Sequence, residues 1–320
     1  MERIKGVVCK LAHDKGIDLS LSRQQHRRVE SIELVRSERD ENRTALAFHS
    51  RPFVLCGLPI RRPPPGTLQY TRRNGRFKLD IVAHPEFGLP FGQDRLIPIW
   101  VATLAIKQKS RTVMFRSAAE ILDHFDLPKD GPHYRRLVDG FKRIFASSVF
   151  FGTDDAGQPQ QAVWDYRRFH FFDRLRLWCS PEAEYLSGGT DPSANVICLS
   201  EAFWQEIQAH PIPVNAHVVR ALTGNPGCLD FYMWLSWRCF HAKRSERIPL
   251  FGPGGLVNQL GVTEYSRERN FRKRIREWLK LVALYWPDCP AQFDADGASM
   301  LVGSDRRTLY GKNPASPPPT

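Results

Sequence analysis

The stretch from Tyr265 to Trp286, YSRERNFRKRIREWLKLVALYW, carries cations at a spacing that can grip an anion. Wound as a helix at about 100° per residue, it sets Phe271, Ile275, Trp278, Val282 and Tyr285 on one stripe. The opposite face collects Arg269, Lys273, Arg276 and Lys280, with Arg272 on its flank. One side seeks a protein core and the other seeks phosphates or base edges. Arg pairs bidentately with guanine and Asn with adenine, each pair contributing roughly 1–3 kcal/mol of discrimination. Arg267, Arg269, Asn270 and Lys273, with Tyr265 and Ser266, lie at the end of the helix suited to base reading. Arg276 and Lys280 lie further along and suit phosphates, which position a protein without reading sequence. The same face is compatible with simple solvation, Glu268 and Glu277 pairing with neighbouring cations at helical spacing.

Other chemistries lack their residues. A DNA-nicking tyrosine needs a metal held by a His-hydrophobic-His pair, and none of the ten histidines stands two residues from another. Gly252-Pro-Gly254-Gly255 is not a phosphate-binding G-x-x-x-x-G-K-[ST] loop and reads as a turn. Cys9 with His13, and Cys239 with His241, have no second pair at zinc-ligand spacing. Asp154-Asp155 sits in a Gly/Pro-containing loop where turn chemistry explains it. The expectation is a chain that is not an enzyme and takes no metal or cofactor.

The basic helix needs elements to hold it. Leu256 to Leu260 precedes it as a short helix across a turn at Gly261, the order of a helix-turn-helix. Upstream stand an apolar helix, Leu229 to Phe240, and a strand, Arg247 to Leu250. Downstream, Ala291 to Phe293 and Ser299 to Val302 form a hairpin around Asp294-Ala-Asp-Gly297. The same order occurs earlier. Leu96 to Lys109 is apolar nearly all round and predicts a buried helix, and Arg111 to Phe115 a strand. Ser117 and Glu120 form a capping box for a helix holding Ile121, Leu122 and Phe125. The next helix, Pro132 to Ala146, buries Tyr134, Leu137, Val138, Phe141 and Phe145 and shows Arg135, Arg136, Lys142 and Arg143 outward, with Asp139 interrupting that basic face. Strand-prone Ser147 to Gly152 and Ala162 to Leu175 flank the loop Thr153 to Gln160 in the shape of a wing. Asn74-Gly75 predicts a hairpin between Gln69–Thr71 and Arg76–Ala83. Ser200 caps a helix holding Phe203, Trp204 and Ile207 that His210-Pro211 ends.

The expected fold class is therefore α+β, with two tandem winged-helix (helix-turn-helix) domains. Residues 1–50 read as a charged N-terminal arm, in which Gln24 to Arg39 fits either a helix with Val29, Ile32 and Val35 on one side or a mobile segment, 51–180 as the first module, 181–194 as a linker, 195–303 as the second module, and 304–320 as a disordered Pro-rich tail. The 46 Lys and Arg against 34 Asp and Glu give a net charge of +12, which favours a polyanionic partner. There is no apolar run of about 18 residues and no secretory h-region, so a cytoplasmic chain without membrane contact is expected. Seven scattered cysteines without C-x-x-C read as reduced.

The Tyr70-Thr-Arg-Arg-Asn-Gly75 turn, Leu89-Pro-Phe-Gly92, His210-Pro-Ile-Pro213 and Tyr232-Met-Trp234-Leu235 occur in an order that resembles the plasmid-encoded replication initiators of the RepA family, over roughly Phe53 to Val302. The resemblance implies a bacterial protein, associated with plasmid or nucleoid, that binds direct repeats in a plasmid origin as double-stranded DNA and helps open the adjacent duplex. It further implies recruitment of the host initiator and replicative helicase, with monomers activating, homodimers repressing, and the first module serving dimerisation and backbone contact. By position, the family's recognition role falls on Arg267, Arg269, Asn270, Lys273 and Arg276. The alternatives are a winged-helix transcription regulator bound to an operator and a protein–protein scaffold.

Overall fold

The computed structural model describes residues 23–41, 44–154, 164–177, 195–252, 254–261 and 267–305. Helix α1 (Arg23–Asp40) leads into strand β1 (Leu46–Ser50) and the short helix α2 (Arg51–Leu55). Strands β2 (Gln69–Asn74) and β3 (Phe77–Ala83) form the expected hairpin, but its turn falls one residue later, on Gly75 and Arg76, because Asn74 pairs with Phe77 and donates its side-chain amide to the Leu55 carbonyl; Gly75 takes φ 59°. A 3-10 turn (Gly92–Arg95) opens α3 (Leu96–Gln108), which is buried almost all round, as its apolar composition predicts. Then come β4 (Thr112–Phe115) and α4 (Ala118–His124), whose Ser117 cap accepts the Glu120 N–H. Helix α5 (Gly131–Phe145) follows, capped by Asp130. Strands β5 (Ser147–Asp154), β6 (Trp164–His170) and β7 (Phe172–Arg176) complete the first half.

The second half opens with β8 (Asn195–Leu199), α6 (Glu201–Ala209), β9 (Pro211–Asn215) and α7 (Ala216–Ala221). It continues with α8 (Pro226–His241), β10 (Glu246–Pro249), α9 (Leu256–Gln259), α10 (Glu268–Tyr285), β11 (Ala291–Phe293) and β12 (Ser299–Val302). The sheets are antiparallel, ordered β1-β9, β2-β3-β5-β6, β4-β8-β7 and β10-β12-β11. One apolar cluster runs from Val35 through Ile99, Phe141 and Trp234 to Val302, so both halves share a core.

Tertiary contacts decide three expectations. Of the two readings left open for Gln24 to Arg39, the helix is the one observed, and residues 23–50 are helix and strand packed on the second half. Val35 is buried, Arg36 Nε donates to the Leu284 carbonyl at 2.9 Å, Arg39 pairs with Asp305 at 3.3 Å and Glu38 with His217 at 3.1 Å. The charges that suggested mobility are cross-links. The hairpin β5-β6 is no free wing, because the other edge of β5 pairs with β3 from Ala83 to Phe77. In α5, Ile144 is buried and Phe145 is 41% exposed, since burial continues from Phe141 at i+3 rather than i+4. The expected linker 181–194, most of the tail, the wing loop from 155 to 163, Tyr265 and Ser266 lie outside the described residues.

Candidate nucleic-acid interface

Helix α10 buries the stripe expected of it, Phe271, Ile275, Trp278, Val282 and Tyr285. Ahead of it, α9 is fixed by Leu256, Leu260 and above all Gln259. The Gln259 Oε1 accepts from Trp234 Nε1 at 3.1 Å and from Arg238 Nη2 at 3.2 Å. Its Nε2 donates to the Gly254 carbonyl at 2.7 Å. Its own carbonyl accepts from Arg72 Nη2 at 3.0 Å, so the β2-β3 hairpin reaches into the helix-turn-helix. Gly261 lies in the turn at φ 60°, with a built Cβ only 2.4 Å from Arg72 Nε.

The outward cations of α10 fall into two groups. Arg267, Arg269, Asn270, Lys273 and Lys280 are exposed, and their side chains have no partner among the described residues. Arg272 is held: it lies over the Phe251 ring at 5.1 Å, donates to the Gly297 carbonyl at 3.4 Å and sits 3.7 Å from Glu268. Arg276 lies over Phe293 at 5.5 Å, and Arg274 pairs with Glu277 at 3.2 Å. Glu268 and Glu277 thus take Arg272 and Arg274, leaving the Arg269, Asn270 and Lys273 patch unneutralised. The β11-β12 hairpin beside it has an acidic tip. Arg247 bridges Asp294 at 2.7 Å and Asp296 at 4.0 Å, and the Ser299 N–H, followed by Asp296 and Arg247, holds the Asp294 carboxyl below its usual range.

In α5 the structure divides the four expected cations. Arg135 and Lys142 are exposed, and Arg136 donates to Gln93 Oε1 at 3.1 Å. Arg143 does not face outward freely: its Nε and Nη2 grip the Asp94 carboxylate at 2.7 and 2.9 Å, and it lies 4.8 Å over Phe91. Gly140 makes that close approach feasible, since a Cβ there would stand 2.7 Å from Asp94 Oδ1. Sequence reading also missed the buried cations Arg72 and Arg95. Strand alternation was the available signal for Arg72, which lies across from the inward Leu79.

No helix among the described residues is long and apolar enough to cross a membrane. Residues 142–248 match the family model described as plasmid encoded RepA protein, a span running from the last turn of α5 into β10. No curated protein matches the chain. Among solved structures the chain is similar to a crystal structure of SeMet derivatives of domain 2 and domain 3 of RctB, at 12% identity and a TM-score of 0.46, over 73% of this chain and 85% of that one. It is likewise similar to a second crystal structure of the RctB domains 2-3, at 13% identity and a TM-score of 0.46, over 77% of this chain and 85% of that one.

Proposed function

We propose, from the match of residues 142–248 to the model of the plasmid encoded RepA protein, that this chain is a replication initiator that binds direct repeats in its origin as duplex DNA. The observation that carries the reading is the patch of Arg269, Asn270 and Lys273, free of partners among the described residues and directly behind a fully buried stripe. The order α8, β10, α9, α10, β11, β12, with the sheet ordered β10-β12-β11, supports reading this half as a winged helix whose third helix would enter the major groove. The order α3, β4, α4, α5, β5, β6 repeats these elements in the first half but not their sheet, since β4 pairs with β8 and β5 with β3; its weaker basic face suits backbone contact and dimerisation for autorepression. In this reading the chain is not an enzyme and takes no cofactor. It reads and anchors, assists opening, and recruits host replication proteins from the cell interior.

The test is repeat binding by footprinting with the Arg269→Ala, Lys273→Ala double variant. Specific affinity should fall at least tenfold, since each base pairing contributes roughly 1–3 kcal/mol. The wild-type affinity should also fall steeply with salt through counterion release. An unchanged footprint removes the assignment of α10. Survival of a minimal replicon without this gene removes the initiator reading and leaves an operator-binding regulator.

A further inference from the structure

Arg272 and Arg276 stand one turn apart on α10, and both side chains lie on the turn of the β11-β12 hairpin. The Arg272 guanidinium lies over the Phe251 ring at 5.1 Å, and Phe251 in turn meets the buried Phe271 ring edge-on at 5.6 Å. Its Nη1 donates to the Gly297 carbonyl at 3.4 Å. The Arg276 guanidinium lies over Phe293 of β11 at 5.5 Å. Its Nη2 packs so closely on Gly297 that a Cβ there would collide with it. One residue of the hairpin turn is thus held by both arginines.

The tip they grip is braced within itself. The Gly297 N–H donates to the Asp294 carbonyl at 3.0 Å, and the Asp294 N–H to the Ser299 carbonyl at 3.1 Å. The Asp294 and Asp296 carboxylates accept the Ser299 and Ala298 N–H groups, each at 3.0 Å. A tip cross-linked in this way moves as one piece, so whatever fixes Gly297 and Phe293 fixes the angle of the hairpin to α10. That angle bears on the patch of Arg269 and Lys273. The Asp296 side chain is 65% exposed at the tip, and a carboxylate swinging towards the patch would compete with phosphates for its cations.

We propose that Arg272 and Arg276 are positioning residues for duplex binding, which hold the acidic hairpin at a fixed angle to α10 and do not themselves neutralise phosphates. The proposal rests on the reading of α10 as the duplex-binding helix. The task calls for arginine. A guanidinium is planar and stacks on a ring while its edge donates, whereas a lysine ammonium is a point charge that serves a phosphate but cannot make both contacts.

The experiment measures the affinity of the full chain for the duplex repeat across a salt series, together with hydrogen exchange of the Asp294 and Gly297 amides in the free chain. Arg276→Lys should weaken duplex binding about fivefold although the charge is kept. Arg276→Ala should weaken it equally and leave the salt slope at its wild-type value. Phe293→Leu, which keeps apolar bulk and removes the ring, should weaken it to the same extent, and combining it with Arg276→Lys should add nothing further. In these variants the two amides should exchange faster. Arg276 is exposed, so its variants should melt with the wild type. The proposal is overturned by an Arg276→Lys chain that binds as the wild type does, or by unchanged exchange of the two amides. It is equally overturned by an Arg276→Ala chain whose salt slope falls by about 1, as the loss of a phosphate contact requires. A wild-type chain that ignores the repeat removes the duplex reading and this proposal together, whereas binding that is lost in the Arg269→Ala, Lys273→Ala variant and intact in the Arg276 variants removes this proposal alone.

Discussion

The Arg95 guanidinium is 2% exposed and gives Nε and Nη2 to the Asp230 carboxylate at 2.7 and 2.8 Å, while the carbonyls of Gly92 and Leu58 take further N–H groups. Its neighbour Asp94 receives Arg143, so two adjacent residues of one 3-10 turn tie α5 on one side and α8 on the other. Arg269 has the same chemistry in the opposite setting, exposed and without a partner among the described residues. The contrast separates structural arginines from those available to an anion. Removing the partner of a buried charge leaves that charge uncompensated, which costs about 3–5 kcal/mol. Asp230→Ala should therefore lower the urea midpoint strongly, whereas Arg269→Ala should leave it within experimental error. Equal midpoints for the two variants would show that Arg95 finds water or another acceptor.

At the scale of elements, the turn between α9 and α10 carries two constraints at one residue. Gly261 has a positive φ, and the space its Cβ would need holds the Arg72 guanidinium. Gly261→Ala should cost about 1–3 kcal/mol from backbone strain alone. It should also displace Arg72, weakening duplex binding beyond the loss of stability; full binding at a temperature where the variant is folded would contradict that coupling. Several elements were legible in the sequence because a single local signal sufficed. Asn74-Gly75 announced its hairpin to within one residue, Ser117 and Ser200 capped their helices, and the 3.6-residue period of α10 named its buried stripe residue by residue. The elements that were not legible depend on distant partners. Strand β9 carries Pro211, which read only as the end of the preceding helix, and Pro213, and it is a strand because β1 lies against it from Leu46 to Ser50. Helix α1 was legible only as one of two alternatives, from Val29, Ile32 and Val35, and what decides for it are distant partners, Leu284, Asp305 and His217. Arg143 looked like its neighbours until Asp94 was placed beneath it.

At the scale of the whole molecule, a core shared by both halves makes stability a property of the entire chain, and two of its histidines make that stability sensitive to acid. Burial, with Arg95 nearby, pushes His49 from its ordinary 6.5 to about 3. Burial, with Arg220, Lys107 and His217 around it, takes His124 to about 4. Below 6.5 the unfolded chain binds protons that the folded chain refuses, so these groups stabilise the fold at neutral pH and lose that contribution as pH falls from 6.5 towards 4 and 3. Glu206, raised by burial, works in the opposite direction around the carboxylate range. The urea midpoint should drop across the histidine window, and His49→Gln should flatten the drop; a wild-type midpoint constant through that window would refute the assignment. The pairing of β1 with β9, and of Arg36 with Leu284, also sets a clock. A ribosome adds roughly 5–20 residues per second, so Leu46–Ser50 waits on the order of ten seconds for its strand partner, and α1 waits longer for α10. A chain that stops before β9 leaves Val35 and β1 without the cover they have in the complete fold. The fold is thus closed by its last elements, and its first ones stay incomplete until those arrive.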